Sequence, residues 1–198
     1  CIRDRGKEAG ASLHHSHSQL IATPFVPIRI SEEIRGSKEF YSYRGRCIFC
    51  DMLCQEKEDG ARLVEETQEF LAFEPFASRF PFETWILPKQ HGSHFEDIEK
   101  NQVEDLACIL RRVLFRLEQT LPGVAYNYII HTAPFNEAFL EHYHWHIEII
   151  PRLTKVAGFE WGTGCYINPM APEDACGYLK EVDVGKLEAA DEGSVCNK

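Results

Sequence analysis

Histidines at positions 142, 144 and 146 alternate inside a run of aromatic and β-branched residues ending at Pro151, and Glu148 continues the alternation. Successive side chains of a strand point to opposite faces. The run therefore predicts a strand with His142, His144, His146 and Glu148 on one face and Tyr143, Trp145, Ile147 and Ile149 on the other. One face carries chemistry and the other is core. A shorter copy, His15, His17 and Gln19 leading into Leu20 and Ile21, lies near the start of the chain. A lone histidine on an apolar strand is ordinarily a satisfied core residue. Several partly buried imidazoles on one face are costly unless a metal, a phosphate or mutual hydrogen bonds satisfy them. His144, His146, His15 and His17 are therefore read as functional, His142 as supporting them, and His14, His94 and His131 as solvated or structural.

Around these strands the pattern is α+β. Residues 31–43 open on a serine and two glutamates and predict a connector helix. Residues 62–65, 70–73 and 82–87 read as short antiparallel strands, the last stopped by Pro88. Residues 99–121 carry Val103, Leu106, Leu110, Val113, Leu114, Leu117 and Leu121 at helical spacing, the one long helix. Residues 126–131 alternate as a strand expected to pair with the histidine strand, residues 165–167 are strand-like, and a short helix starts at Pro172. Glycines 158, 162 and 164 fit either a plain turn or a loop offering amides to phosphate. The small, acidic residues 185–198 predict a disordered tail.

With 198 residues and 44% hydrophobic content the chain can build a real core. A net charge of −10 argues against tracking nucleic acid or an anionic membrane surface. No apolar run approaches the roughly 18 residues that span a bilayer, and no signal peptide leads the chain, so a cytoplasmic location is expected. The chain starts at Cys1 instead of a methionine, which leads us to expect a preceding segment.

Of eight cysteines, only Cys47 and Cys50 form a Cys-x-x-Cys pair, the rest being scattered. That spacing suits two thiolate ligands of Zn2+, which needs two more nitrogen or sulfur donors to complete a tetrahedron. His91 and His144 are the best candidates. The bland alternatives are reduced buried thiols or a redox pair, although the βαβ setting of a thioredoxin-type motif is missing.

Ser12-x-x-His15-x-His17-x-Gln19 resembles the active-site strand of the galactose-1-phosphate uridylyltransferases and the related ADP-glucose phosphorylases, members of the histidine-triad superfamily. Residues 47–50, 82–89, 144–151 and 158–168 are similar to the second half of the same two-half enzymes. The resemblance implies an α+β, histidine-triad-like antiparallel sheet with one long helix. It divides the chain into a remnant of a first half (1–30), a connector helix (31–46), a second half (47–184) and the tail (185–198). It further implies that His17 attacks the α-phosphorus of a nucleotide sugar to form a nucleotidyl-histidine, with Gln19 and Ser12 holding phosphoryl oxygens. Cys47, Cys50, His91 and His144 would bind one Zn2+, and His15 would ligate a second whose other ligands lie upstream. Gly158, Phe159 and Glu160 would reach the sugar of a partner subunit's substrate, hence a homodimer with a composite site. Two positions depart from the pattern. Asp4 stands where an asparagine is usual. Glu148 stands where His17 has its Gln19, and a carboxylate there repels phosphate unless protonated or paired, which favours His17 over His146 as nucleophile.

The expected activity is nucleotidyl transfer between a nucleoside-diphosphate sugar and hexose 1-phosphate. Two other readings stay open: a nucleotide-sugar phosphorylase that uses inorganic phosphate as acceptor, and a zinc-stabilised binding or dimerisation module without catalysis.

Overall fold

The computed structural model of the chain describes residues 2–11, 17–19, 21, 23–185 and 187. Seven strands form one antiparallel sheet: β1 (Ile2–Arg5), β2 (His17–Gln19), β3 (Leu63–Glu66), β4 (Phe70–Phe73), β5 (Thr84–Pro88), β6 (Tyr126–His131) and β7 (His146–Pro151). Their spatial order is β2-β1-β6-β7-β5-β4-β3. Five helices accompany them: α1 (Ile28–Arg44), α2 (Ile48–Asp59), α3 (Lys100–Thr120), α4 (Gly158–Thr163) and α5 (Pro172–Lys180).

The alternating pattern of the strands sorts two cores onto the two faces. Phe70, Ala72, Ile86, Ile147 and Ile149 pack with Ile109, Val113 and Leu117 of α3 and with Cys176 and Leu179 of α5. On the opposite face Leu71, Phe73 and Leu87 pack with Phe49 and Leu53 of α2. The long helix begins on a reciprocal cap in which Glu99 and Gln102 satisfy each other's backbone amides. Its buried stripe runs through Leu106, Ile109, Val113 and Leu117, while Val103, expected inside, is 49% exposed. Arg116 donates to the carbonyls of Leu179 and Val182 and so satisfies the end of α5.

Three expectations need correction, and the cysteines add a finding of their own. The histidine strand starts at His146, because Tyr143 N donates to Leu140 O in a turn, so His142 and His144 precede the ladder and Tyr143 packs against Phe49 in the α2-side core. Residues 165–167 pair with no strand among the described residues. The glycine-rich run is helix α4, started by Glu160 accepting the Ala157 amide at 2.9 Å. Finally, Cys108 is disulfide-bonded, whereas Cys47, Cys50, Cys54, Cys165 and Cys176 are free thiols. The stretch at the start of the chain joins the same sheet: β2 pairs with β1, and the unforeseen β1 pairs with β6 over Ile2–Arg5 and Tyr126–Ile129. Most of the expected tail, 186 and 188–198, lies outside the described residues. No helix among the described residues is long and apolar enough to cross a membrane.

Candidate metal centre and the histidine strands

The pair Cys47 and Cys50 sits at the start of α2, with Cys47 as its N-cap. Free backbone amides there favour thiolates over thiols. His91 follows β5, and His144 lies two residues before β7. The two segments are tied together by Trp145 N donating to Gly92 O at 2.9 Å. As a result the ligand atoms of Cys47, Cys50, His91 and His144 all lie within 4.8 Å of one another. Cys50 Sγ is 3.4 Å from His91 Nδ1 and 3.6 Å from His144 Nδ1. A tetrahedral ion with metal–sulfur bonds of about 2.3 Å and metal–nitrogen bonds of about 2.0–2.1 Å has sulfur–nitrogen edges of about 3.5 Å. The two edges at Cys50 match a tetrahedral ion, and the two thiols and two imidazoles are a donor set that suits Zn2+. The Cys50 thiol donating to Cys47, aided by His144 and His91, pulls Cys47 far below the ordinary thiol range, and that negative sulfur raises His91.

A second group, Glu33, His131 and His146, also has its ligand atoms within 4.8 Å of one another. His131 and His146 are directly opposite in the β6–β7 ladder and their rings stack at 4.6 Å. Glu33 of α1 reaches both: Oε2 is 2.9 Å from His131 Nδ1, and Oε1 is 3.3 Å from His146 Nε2. Glu148 lies 3.4 Å from His131 Nε2 and 2.5 Å from Arg79 Nη2. Burial opposes the charge on His131, yet Glu148 and Glu33 outweigh it and hold the imidazolium up to about 9. Burial likewise pushes Glu148 up, but His131, Arg79 and His146 bring it down to about 2. The carboxylate at position 148 is thus ionised and paired.

His146 is fully buried, between Trp85 at 5.0 Å on one side and His131 on the other. Its Nδ1 donates to His144 O at 3.0 Å, and burial lowers its pKa. Such a ring has no room for an incoming phosphate. His131, expected to be structural or solvated, proves to be the centre of this charge network; its place at the end of β6, facing the histidine strand, was the available signal. Glu33 and Arg79 carried no such signal, being distant in sequence and on a helix and a loop.

The first-half residues are only partly placed. His17 and Gln19 lie in β2, with His17 opposite Asp4 and Gln19 opposite Ile2. Ser12 and His15 lie outside the described residues. Asp4 accepts a hydrogen bond from Asn127 Nδ2, which also donates to Ala9 O at 2.8 Å. Gly158, Phe159 and Glu160 are on α4, with Phe159 52% and the adjacent Trp161 79% exposed.

Residues 33–163 match the family profile described as galactose-1-phosphate uridyl transferase, C-terminal domain. The chain is 40% identical over 92% of its length to an ADP-glucose phosphorylase from Arabidopsis thaliana, and 38% identical over 92% to a galactose-1-phosphate uridylyltransferase from Thermotoga maritima. It spans 51% and 59% of those two relatives. Among solved structures, it matches an Arabidopsis thaliana ADP-glucose phosphorylase with bound ADP-glucose at TM-score 0.84 and 38% identity, covering 92% of this chain and 59% of that one. A Zn-bound histidine triad family protein from Mycobacterium smegmatis matches at TM-score 0.50 and 19% identity over 73% of this chain and 96% of that one, which bears on the fold alone.

Proposed function

The chain belongs to the galactose-1-phosphate uridylyltransferase family, and on that premise we propose that it serves nucleotidyl transfer between a nucleoside-diphosphate sugar and hexose 1-phosphate. The observation that carries this reading is the strand His17–Gln19, which bears the family's motif and is laddered through β1 into the sheet beside which Cys47, Cys50, His91 and His144 come together.

In the proposed reaction His17 attacks the α-phosphorus, and the bond to the bridging oxygen breaks so that sugar 1-phosphate leaves with the electron pair. The phosphate oxygen of the incoming hexose 1-phosphate then attacks the same phosphorus and returns the imidazole. Splitting one displacement into two suits an imidazole, a good nucleophile and a good leaving group near neutral pH. Gln19, with Ser12, would hydrogen-bond the phosphoryl oxygens on which transition-state charge collects. His146, stacked between Trp85 and His131, takes no part in the chemistry. The ion at Cys47, Cys50, His91 and His144 is read as Zn2+, and four protein donors make a closed, structural site. Bound there, it would clamp the start of α2 to the two histidine segments. His15 would serve a second Zn2+ together with ligands outside this chain. Gly158, Phe159 and Glu160, on the exposed α4, would complete the sugar site of a partner subunit in a homodimer. The setting is cytoplasmic.

A second reading, nucleotide-sugar phosphorolysis, is favoured by the 40% identity to the ADP-glucose phosphorylase. One experiment addresses both, using a polypeptide that extends this chain to the length of its relatives. Incubation with a nucleotide sugar labelled at the α-phosphate should leave label on the protein, and His17→Ala should leave none. Label retained in that variant would sink the assignment. Release of nucleoside diphosphate with inorganic phosphate as sole acceptor would decide for the phosphorylase.

A further inference from the structure

Glu74 follows directly after β4, in line with Thr84 at the start of β5, and is fully buried. Its amide donates to Arg62 O at 3.0 Å, so the backbone is held. Among the described residues its carboxyl has one hydrogen-bond partner: Oε1 is 3.3 Å from Thr84 Oγ1, and Oε2 has none. Thr84 Oγ1 is also 3.2 Å from the carbonyl oxygen of Phe82. A hydroxyl has one proton to donate, and a carbonyl can only accept. If Thr84 serves Phe82, the bond between Thr84 and Glu74 needs a proton from Glu74.

The surroundings offer nothing that would hold a carboxylate instead. From the turn, Glu83 adds negative charge. From α5 comes the buried thiol of Cys176, itself pushed up to about 11 by burial, so it too is a neutral group. On the β3 side, Arg62 turns its guanidinium to Glu56, Glu173 and Asp59. On α3, Ile109 and Val113 are apolar, and Arg112 and Arg116 pair with Glu65. Burial, the largest influence, pushes the acid well above the ordinary carboxylate range, and no cation offsets it.

We propose that Glu74 folds as the neutral acid, donating a hydrogen bond to Thr84 Oγ1 so that Thr84 can donate its own proton to the Phe82 carbonyl, and that loss of the Glu74 proton as pH rises destabilises the 74–84 turn. The turn is a place where such a hold matters. Phe82 is the one non-glycine residue with positive φ among those described, at 60°, a conformation unfavourable for a bulky side chain. The same turn delivers Arg79 to Glu148 and presents the Ser78 carbonyl to Asn168 at 3.2 Å.

Linkage sets the sign. The folded chain keeps a proton that the unfolded chain gives up above about pH 4.3, so folding is progressively weakened as pH rises from there. Equilibrium unfolding of the whole chain and of Glu74→Gln, which keeps a donor but cannot ionise, is compared at a series of pH values from about 4 to 8. The proposal expects little pH dependence of the difference at the acid end. Above it, the unfolding constant of the wild type should rise relative to the variant by up to about tenfold per pH unit. A difference that stays flat, or a variant that grows weaker than wild type as pH rises, overturns the proposal. Should Glu74→Gln fail to fold, Glu74→Met is measured in its place. Failure of both where the wild type folds also overturns it, because a neutral acid with a single hydrogen bond is replaceable.

Discussion

Arg79 Nη2 lies 2.5 Å from Glu148 Oε2, and this pair explains how a carboxylate persists on the buried face of β7. Arg79 also holds the buried Glu83 at 3.1 Å, so one guanidinium is shared by two acids, and His131 supplies the second positive charge at Glu148. Removing one partner of a buried pair leaves an uncompensated charge, at a cost of about 3 kcal/mol or more. Arg79→Ala should therefore lower the unfolding free energy by that order, read as a lower urea midpoint at unchanged slope, and adding Glu148→Gln should recover part of the loss. Simple additivity of the two changes would show that the pair is not coupled.

The His131 network predicts a pH profile for the chelator-treated chain. Its pKa is raised to about 9, so its stabilisation is complete below the ordinary histidine value and is lost as pH rises through about 9. Glu148, lowered to about 2, behaves in the opposite way, stabilising above the ordinary carboxylate range and failing as pH falls toward 2. His131→Asn should remove most of the alkaline loss, on the order of 3 kcal/mol, and should weaken the acid limb as well, because His131 is the first of the groups that hold Glu148 down. An alkaline limb unchanged in that variant would contradict the charged state assigned to His131.

Elemental analysis should find Zn2+ near one equivalent per chain, and Cys50→Ser should lose it. Chelation should speed amide exchange around residues 47–54 and 89–94 more than in α3, because the proposed ion would join segments on the α2 side of the sheet and α3 packs on the other. Uniform exchange before and after chelation would mean the site carries no structural ion.

The helix stripe can be checked by contrast. Leu117→Ala, at a position 1% exposed, should cost about 2–5 kcal/mol in chemical denaturation. Val103→Ala, 49% exposed, should fall within about 0.5 kcal/mol of wild type. Equal costs would place the buried face elsewhere.

What could be read in advance was what local periodicity controls. β6 ran from Tyr126 to His131 as its alternation demanded, and α3 followed its leucines. The grouping of Cys47, Cys50, His91 and His144 followed from the thiol spacing and the need for two more donors, although its parts come from a helix start and two loops. Alternation misled at Tyr143, where a turn bond to Leu140 overrides the pleat. The glycines of α4 suggested a turn, and the Glu160 cap made a helix of them. Glu33 and Arg79 were illegible because their partners, His131 and Glu148, are brought to them only by tertiary packing.

The unbroken ladder has a consequence for how the two histidine strands keep step. Position 17 stands opposite Asp4, Asp4 opposite Asn127, and Asn127 opposite Ile150. A slip of one residue in any of these pairings would turn position 17 to the other side of the sheet, since side chains change face at every step. The rungs of β6 and β7, pinned by the buried cores and the His131 network, therefore act as a gauge for a motif more than a hundred residues away in the chain. Wear anywhere along that gauge would be felt as misalignment at His17.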